Sequence, residues 1–353
     1  MRVIDAGESR VAATRVAAGM LAPVGELAFG EQEMLEMTVA AASIYPEYVE
    51  AVEEAGGERA GYRRLGALHV ALDRDEAAEL RRRHELQRSM GLKAAWLGPS
   101  GCRALEPGLH PSLNGGVHVA DEAAVDPRRF SVALRAALAS TGGEVTSGAE
   151  VVGLLEADGA AHGVRTADGA DHAAGVVVVA TGCWSGCGDW VPEAVRPPVR
   201  PVKGEILELA SRDGEPICER IVASERVYMV PRDEGKVIVG ATVEESGFDD
   251  TVTAGGVLEL LRESYRLLPE VAELRLVEAA AGLRPATPDN LPVVGRTEIE
   301  RLIMATGHYR NGVLLAPLTG EAVADLLDGG DPASIAKADP KRFAGRAVAG
   351  TIA

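Results

Sequence analysis

The sequence predicts an α/β protein of two domains, one doubly wound around a parallel sheet and one built on an antiparallel sheet. Three observations carry this. The chain opens on Arg2-Val3-Ile4-Asp5, a short β-prone run that ends in an acid before a glycine- and alanine-rich stretch from Ala6 to Leu21. Val176-Val177-Val178-Val179-Ala180 is a continuous apolar run, the pattern of a strand buried on both faces. Elsewhere, from Glu144 to Gly182 and again from Val195 to Ala280, short β-prone runs alternate with turn residues. A length of 353 residues suits two compact domains with real cores.

Between Glu31 and Glu54 the apolar residues Met34, Leu35, Val39, Ala42, Tyr45, Val49 and Val52 recur mostly at spacings of three and four, which predicts an amphipathic helix that Pro46 kinks or interrupts. Arg64 to Leu72 reads as a strand, Asp75 to Leu92 as a charged helix with a solvated face, and Gly115 to Val119 as another strand. Asp126-Pro127 starts a helix that runs through Leu138, because proline is tolerated in the first turn. Asp-Gly pairs at 158–159 and 168–169 predict consecutive hairpins across 144–182. Val227 to Pro231 and Lys236 to Ala241 bracket Asp233-Glu234-Gly235 as a further hairpin, and Gly256 to Leu268 is helical. Arg301 to Ala305 is a strand, followed by a loop to Gly312 and a helix from about Pro317 to Leu327 with Pro317, Thr319 and Gly320 in its first turn. The last residues, KRFAGRAVAGTIA, read as a loose tail.

Composition narrows the function. Hydrophobic residues make up 46% and charged residues 25%, ordinary for a globular protein and incompatible with general disorder. No apolar run reaches the roughly 20 residues of a membrane helix, and MRVIDAGESR lacks the apolar core of a signal peptide, so the expected location is the cytoplasm. A net charge of −17 repels nucleic acid and anionic membranes. Cys102, Cys183, Cys187 and Cys218 are too few for a disulfide framework, form no C-x-x-C pair, and read as reduced, buried thiols; no metal site is expected.

Strand, acid, then glycine-rich loop is how the second strand of a dinucleotide-binding βαβ unit ends, which makes Asp5 a candidate ribose ligand as well as a plain turn residue. Ala180-Thr181-Gly182 after the valine run consists of small residues that let backbone approach a cofactor. In ATGHYRNGVLLAPLTGEAVADLL a loop with two glycines leads into a helix whose first N–H groups and positive end favour an anion.

These pieces, in this order, resemble one family. AAGML at 17–21, RPVKGEIL at 200–207, VYMVPRDEGKVIVGAT at 227–242, AGLRPATPDNLPVVGR at 281–296 and GHYRNGVLLAPLTG at 307–320 are similar to glycine oxidases, FAD-dependent members of the D-amino-acid oxidase superfamily that serve thiamine biosynthesis. The similarity runs from residue 3 to about residue 330. It implies a Rossmann-like FAD-binding domain from 1–60, 121–190 and 283–353, and an antiparallel substrate domain from 61–120 and 191–282. It implies oxidative deamination of glycine, and of sarcosine or small D-amino acids, to glyoxylate, ammonia and H2O2, with O2 as acceptor. Hydride transfer from the substrate Cα to the flavin needs no obligatory side-chain base, so the protein's part is positioning and electrostatics.

The resemblance assigns residues too. Arg284 matches the arginine that clamps the substrate carboxylate, and its apolar neighbours Ala281, Leu283 and Pro285 suit a partly buried guanidinium that needs an anion. Tyr228 matches a tyrosine bonding the same carboxylate, Arg310 an arginine by the flavin and the substrate entrance, and Val243 an apolar pocket residue that relatives fill with Met. The implied cofactor contacts are Asp5, Ala6, Ala13, Thr14, Ala18, Gly19, Met20, Val151, Thr181, Gly182, and the run His308, Tyr309, Arg310, Asn311, Gly312, Val313 and Leu314. His308 is taken as a loop residue contacting through its backbone.

Two departures stand out. No G-x-G-x-x-G lies between a strand and a helix, so the family's first strand and phosphate-binding helix have no counterpart here. That predicts open sheet edges, no pyrophosphate cradle and weak FAD binding by the chain as written, and it is what a start placed about 30 residues too late would produce. Arg15 stands where relatives carry a small hydroxyl residue, either to approach a phosphate or to be solvated. The competing readings are a sarcosine oxidase or D-amino-acid dehydrogenase of the same superfamily, and a non-catalytic relative that has lost flavin. The sequence is compatible with a homo-oligomer.

Overall fold

The computed structural model describes residues 1–7 and 12–343. Its largest sheet has eight strands in the spatial order Arg275–Ala286, Arg200–Ala210, Lys236–Gly240, Tyr228–Pro231, Ile221–Ala223, Ala67–Val70, Gly116–Val119 and Ala95–Leu97. Neighbours are antiparallel except Ala67–Val70 beside Ile221–Ala223. Side-chain alternation sorts the two faces. Leu207 and Leu209 join Met229, Val237 and Val239 on one face, under Leu260 and Leu267 of the helix Ala254–Leu267. Each such buried side chain contributes about 1.5–3 kcal/mol. Ile206, Val230 and Ile238 project from the other face, against Val16 and Ala18.

The second half is a helical layer on short parallel strands. The helix Gln32–Gly56 packs against Pro127–Ser140 and Gly312–Leu327, burying Tyr45, Phe130 and Leu315 in one cluster. It passes through Pro46 without a break, because tertiary packing on both sides outweighs one lost backbone hydrogen bond. Asp126 caps its helix by accepting from the N–H groups of Arg128 and Arg129, with Pro127 in the first turn as read.

The parallel strands are not one sheet. Arg2–Asp5 pairs parallel with Glu144–Ser147, while Val177–Val179 pairs with Leu302–Thr306, which in turn pairs with Val293–Arg296. No strand among the described residues joins the two groups, yet Ile4 packs on the cluster that holds Val177 and Val179, so the two open edges share one core. The expectation of a fully buried valine strand fails at Val178, which is 38% exposed on that open edge.

Other boundaries move for local reasons. Glu144–Ser147 belongs to the parallel pair, not to the hairpins, which begin at Val151. The last helix starts at Gly312, five residues before Pro317, so its first turn is Gly312–Leu315. The strand expected over 64–72 is split around Gly66 into Arg63–Arg64 and Ala67–Val70. Within the Ala6–Leu21 stretch, Ala13–Val16 make a helical turn and Met20–Leu21 a strand beside Ala123–Ala124. All four cysteines are free, but Cys187 is exposed, contrary to expectation. The tail from residue 344 lies outside the described residues. Among those described, no helix is long and apolar enough to cross a membrane, and no side-chain cluster suits a metal ion.

Candidate active site

The face of the large sheet that looks toward the helical layer carries Arg284 and Tyr228. Arg284 stands opposite Val202 on the neighbouring strand, and its guanidinium lies flat over Gly204, where any side chain would overlap it. Nη1 donates to the carbonyls of Lys203 (3.2 Å) and Thr242 (3.1 Å), two contacts that fix the orientation of the guanidinium. Tyr228 pairs with Gly240, and its phenol lies over that glycine in the same manner. Two glycines thus clear a shallow floor on which an arginine and a tyrosine converge. Burial pushes the Tyr228 hydroxyl above its ordinary value, with the Arg284 guanidinium beside it pulling the other way.

The loop from Gly307 to Asn311 is pinned to this floor, since the Tyr309 N–H donates to the carbonyl of Pro285, the residue after Arg284 (2.9 Å). Gly312, Val313 and Leu314 then open the helix, so their N–H groups have no partners within it. His308 is held by Thr319 (Nε2 to Oγ1, 2.9 Å), and burial lowers its pKa to about 4, so it is neutral near pH 7. Arg310 reaches Glu31 (3.3 Å) and is partly exposed. A hydroxyl chain locks the adjacent turn: Ser185 donates to Thr306 (2.8 Å), Thr306 to the Gly182 carbonyl (3.0 Å), and Thr181 lies 3.0 Å from Ser185. A side chain at Gly182 would meet nothing within 4 Å, so that turn borders open space.

The 12–20 segment lies against the same strand. Ala12 bridges to Leu283, and Met20 and Ala18 share the cluster of Tyr228. Gly19 (φ +66°) is glycine for another reason than a ligand, because a Cβ there would strike the Val125 carbonyl. Ala13 is half-buried, while Thr14, Arg15 and Ala6 are exposed. Asp5 is engaged with the Gly7 N–H (3.0 Å) and Arg135 (2.9 Å), and Val151 packs near Ile4. Val243 is 64% exposed in the segment between Gly240 and the helix at Ala254. Farther along that segment, Phe248 rests on Trp184 of the Gly182 turn, ring centroids 6.2 Å apart.

One candidate did not emerge from the sequence. Glu26, in the turn 23–26, has its carboxyl pushed up by burial and pulled down by Arg310 and His69, with Arg284 also near. Gly25 beside it donates to Glu122 (2.5 Å), which fixes the turn. The available signal was composition: Glu26 is the one ionisable residue between Val16 and Gly30. An arginine and a tyrosine on a cleared floor, a carboxylate in the field of Arg310 and Arg284, and a helix start whose first N–H groups lack partners within the helix together suit a small zwitterion.

Residues 1–326 match the family described as FAD dependent oxidoreductase. The chain is 35% identical over 322 residues to the bifunctional protein ThiO/ThiG of Trichormus variabilis, covering 90% of this chain and 47% of that one, so it spans about half the length of that relative. It is 32% identical over 330 residues to the glycine oxidase of Geobacillus kaustophilus, covering 92% of this chain and 86% of that protein. The crystal structure of glycine oxidase from that organism superposes with a TM-score of 0.88 at 30% identity, over 97% of this chain and 91% of the other. An iminodiacetate oxidase from a Chelativorans species superposes with a TM-score of 0.86 at 28% identity, over 96% and 92%.

Proposed function

The chain belongs to the FAD dependent oxidoreductase family, and from that membership we propose that it oxidatively deaminates glycine and other small amino acids to the oxo acid, ammonia and H2O2. The observation that carries the reading is the convergence of Arg284 and Tyr228 over Gly204 and Gly240 on one sheet face, with the 307–311 loop hydrogen-bonded to the Arg284 strand at Pro285. We place the activity in the cytoplasm, with the product entering thiamine biosynthesis. A substrate half formed by 61–120 and 191–282 is supported by the large sheet, whose strands fall within 67–119 and 200–286, so that only 283–286 of its last strand run past the boundary.

The fit to FAD divides along its length. The isoalloxazine end has residues that fit it: the Gly182 turn borders open space, and the N–H groups of Gly312, Val313 and Leu314, unpaired within their helix, would stabilise the negative charge of a reduced ring. The pyrophosphate end has no glycine cradle among the described residues. FAD, when bound, would supply the two-electron acceptor for the substrate hydride, with O2 as the final oxidant.

The remaining work belongs to side chains. Arg284 binds the substrate carboxylate as a fork, and Tyr228 donates its phenolic O–H to the same group. Glu26, whose burial raises its proton affinity, takes a proton from the substrate ammonium and leaves the amine lone pair free to assist loss of the Cα hydride. His308, neutral and bonded to Thr319, orders the loop without acting as a base. Release of the imine to water yields the oxo acid and ammonia.

The test is anaerobic mixing of the FAD-supplemented protein with glycine, sarcosine, iminodiacetate and D-alanine. Bleaching of the visible flavin band by glycine is expected. A protein with bound flavin that none of the four reduces would contradict the proposal.

A further inference from the structure

Lys203 and Glu205 project from the strand Arg200–Ala210 on the face opposite Arg284, and each side chain is only 1% exposed. Lys203 Nζ lies 3.0 Å from Glu205 Oε1 and 3.3 Å from Glu244 Oε2, so one ammonium sits between two carboxylates. Glu205 Oε2 has no hydrogen-bond partner among the described residues. Hydrocarbon of similar volume would stabilise such a place as well or better, so this ionic cluster needs a reason besides stability.

The backbone supplies one. Lys203 N donates to the Glu244 carbonyl (2.9 Å) and Glu244 N to the Lys203 carbonyl (3.0 Å). Thr242 Oγ1 donates to Glu244 Oε1 (2.8 Å) and accepts from Glu205 N (2.9 Å). Glu205 Oε1 also accepts from Thr253, at N (3.0 Å) and at Oγ1 (3.2 Å), and Thr253 caps the helix that follows. The cluster therefore ties both ends of the 242–253 segment to one strand. The two carbonyls that receive the Arg284 guanidinium are those of Lys203 and Thr242, one on each side of this tie.

We propose that Lys203 is a positioning residue for carboxylate recognition: its ammonium closes the 242–253 segment onto the strand and so fixes the two carbonyls that aim Arg284. This rests on the reading of Arg284 as the carboxylate ligand. Burial alone lowers the lysine's proton affinity, but Glu205 and Glu244 outweigh it and hold the pKa above the ordinary value, so the tie stays charged across neutral pH. Val243 and Phe248 ride on the same segment, so the tie also sets the rim of the site.

The experiment is calorimetric titration of acetate, a carboxylate without an amine, into the FAD-supplemented wild type, Lys203→Met and Lys203→Met/Glu205→Leu, with the melting temperature of each. Lys203→Met is expected to weaken acetate by at least about tenfold and to lower the melting temperature. In the double variant the melting temperature recovers in part, because the buried carboxylate is gone although Thr253 loses its acceptor, while acetate affinity stays low. For glycine turnover, KM rises by a similar factor and kcat changes by less than about threefold. Acetate binding that survives Lys203→Met unchanged, or that recovers together with stability in the double variant, would overturn this inference alone. Failure of the wild type to bind acetate would overturn the Arg284 reading, and this inference with it.

Discussion

In the proposed reaction the amine end of the substrate is met by a single carboxyl, that of Glu26. Its charge is opposed by burial and favoured first by Arg310, then by His69 and Arg284. Glu26→Gln keeps the shape and removes the proton acceptor. Glycine KM is expected to rise by about tenfold while acetate binds no more weakly, because two guanidiniums lose a competing carboxylate; parallel losses for both ligands would contradict the assignment. His308 gives a prediction in pH. Its folded-state pKa of about 4 lies below the ordinary 6.5, so acid protonates the unfolded chain first. The stability it contributes is complete above pH 6.5, declines as pH falls, and is gone once pH passes below about 4. After allowance for partial solvent access the loss is about 2 kcal/mol, and His308→Asn should flatten that part of the slope in urea unfolding measured stepwise over this range. Identical slopes in the two proteins would contradict it. The blocks of neighbours around Arg284, Tyr228 and Arg310 made them candidates from the sequence, whereas nothing nominated Glu26, because a lone acid after a strand carries no motif until the fold brings it into the field of Arg310.

At the scale of elements, the strand Arg200–Ala210 has two jobs, one on each face. Gly204 gives the guanidinium its bed, so Gly204→Ala is expected to lower kcat/KM for glycine by about 10²-fold without altering any charged group. Gly175→Ala, where a side chain meets nothing within 4 Å, is the control and should leave turnover unchanged. Equal turnover in both variants would mean that the floor beneath Arg284 is not needed. Hairpins and capped helices were readable because their signals are local, as at Asp126-Pro127 and the Asp-Gly turns. The start of the final helix was not, since Pro317 looks like a first-turn proline although Leu314 and Leu315, buried against the helix Gln32–Gly56, extend the helix upstream of it. Glu144–Ser147 was drawn into the hairpins for the converse reason: its partner, Arg2–Asp5, lies 142 residues away along the chain.

At the scale of the whole molecule, the parallel strands among the described residues stand in two pieces, with Val3 and Val178 exposed on their strands. Hydrogen exchange without FAD should therefore be fastest, by about 100-fold or more, at 2–5 and 177–179 compared with 200–210 and 236–240. Equal protection would show that the edges are closed. The antiparallel sheet that carries Arg284 is independent of those edges, and the central claim concerns that arginine. The most direct measurement is glycine-dependent oxygen uptake by the FAD-supplemented protein and its Arg284→Ala variant, with flavin content and melting temperature recorded for each. Removing a charge-assisted, partly desolvated fork is expected to lower kcat/KM by roughly 10²- to 10³-fold, with Arg284→Lys recovering only part, while flavin content and melting temperature barely move. Near-normal glycine turnover by the Arg284→Ala protein at full flavin content would contradict the account.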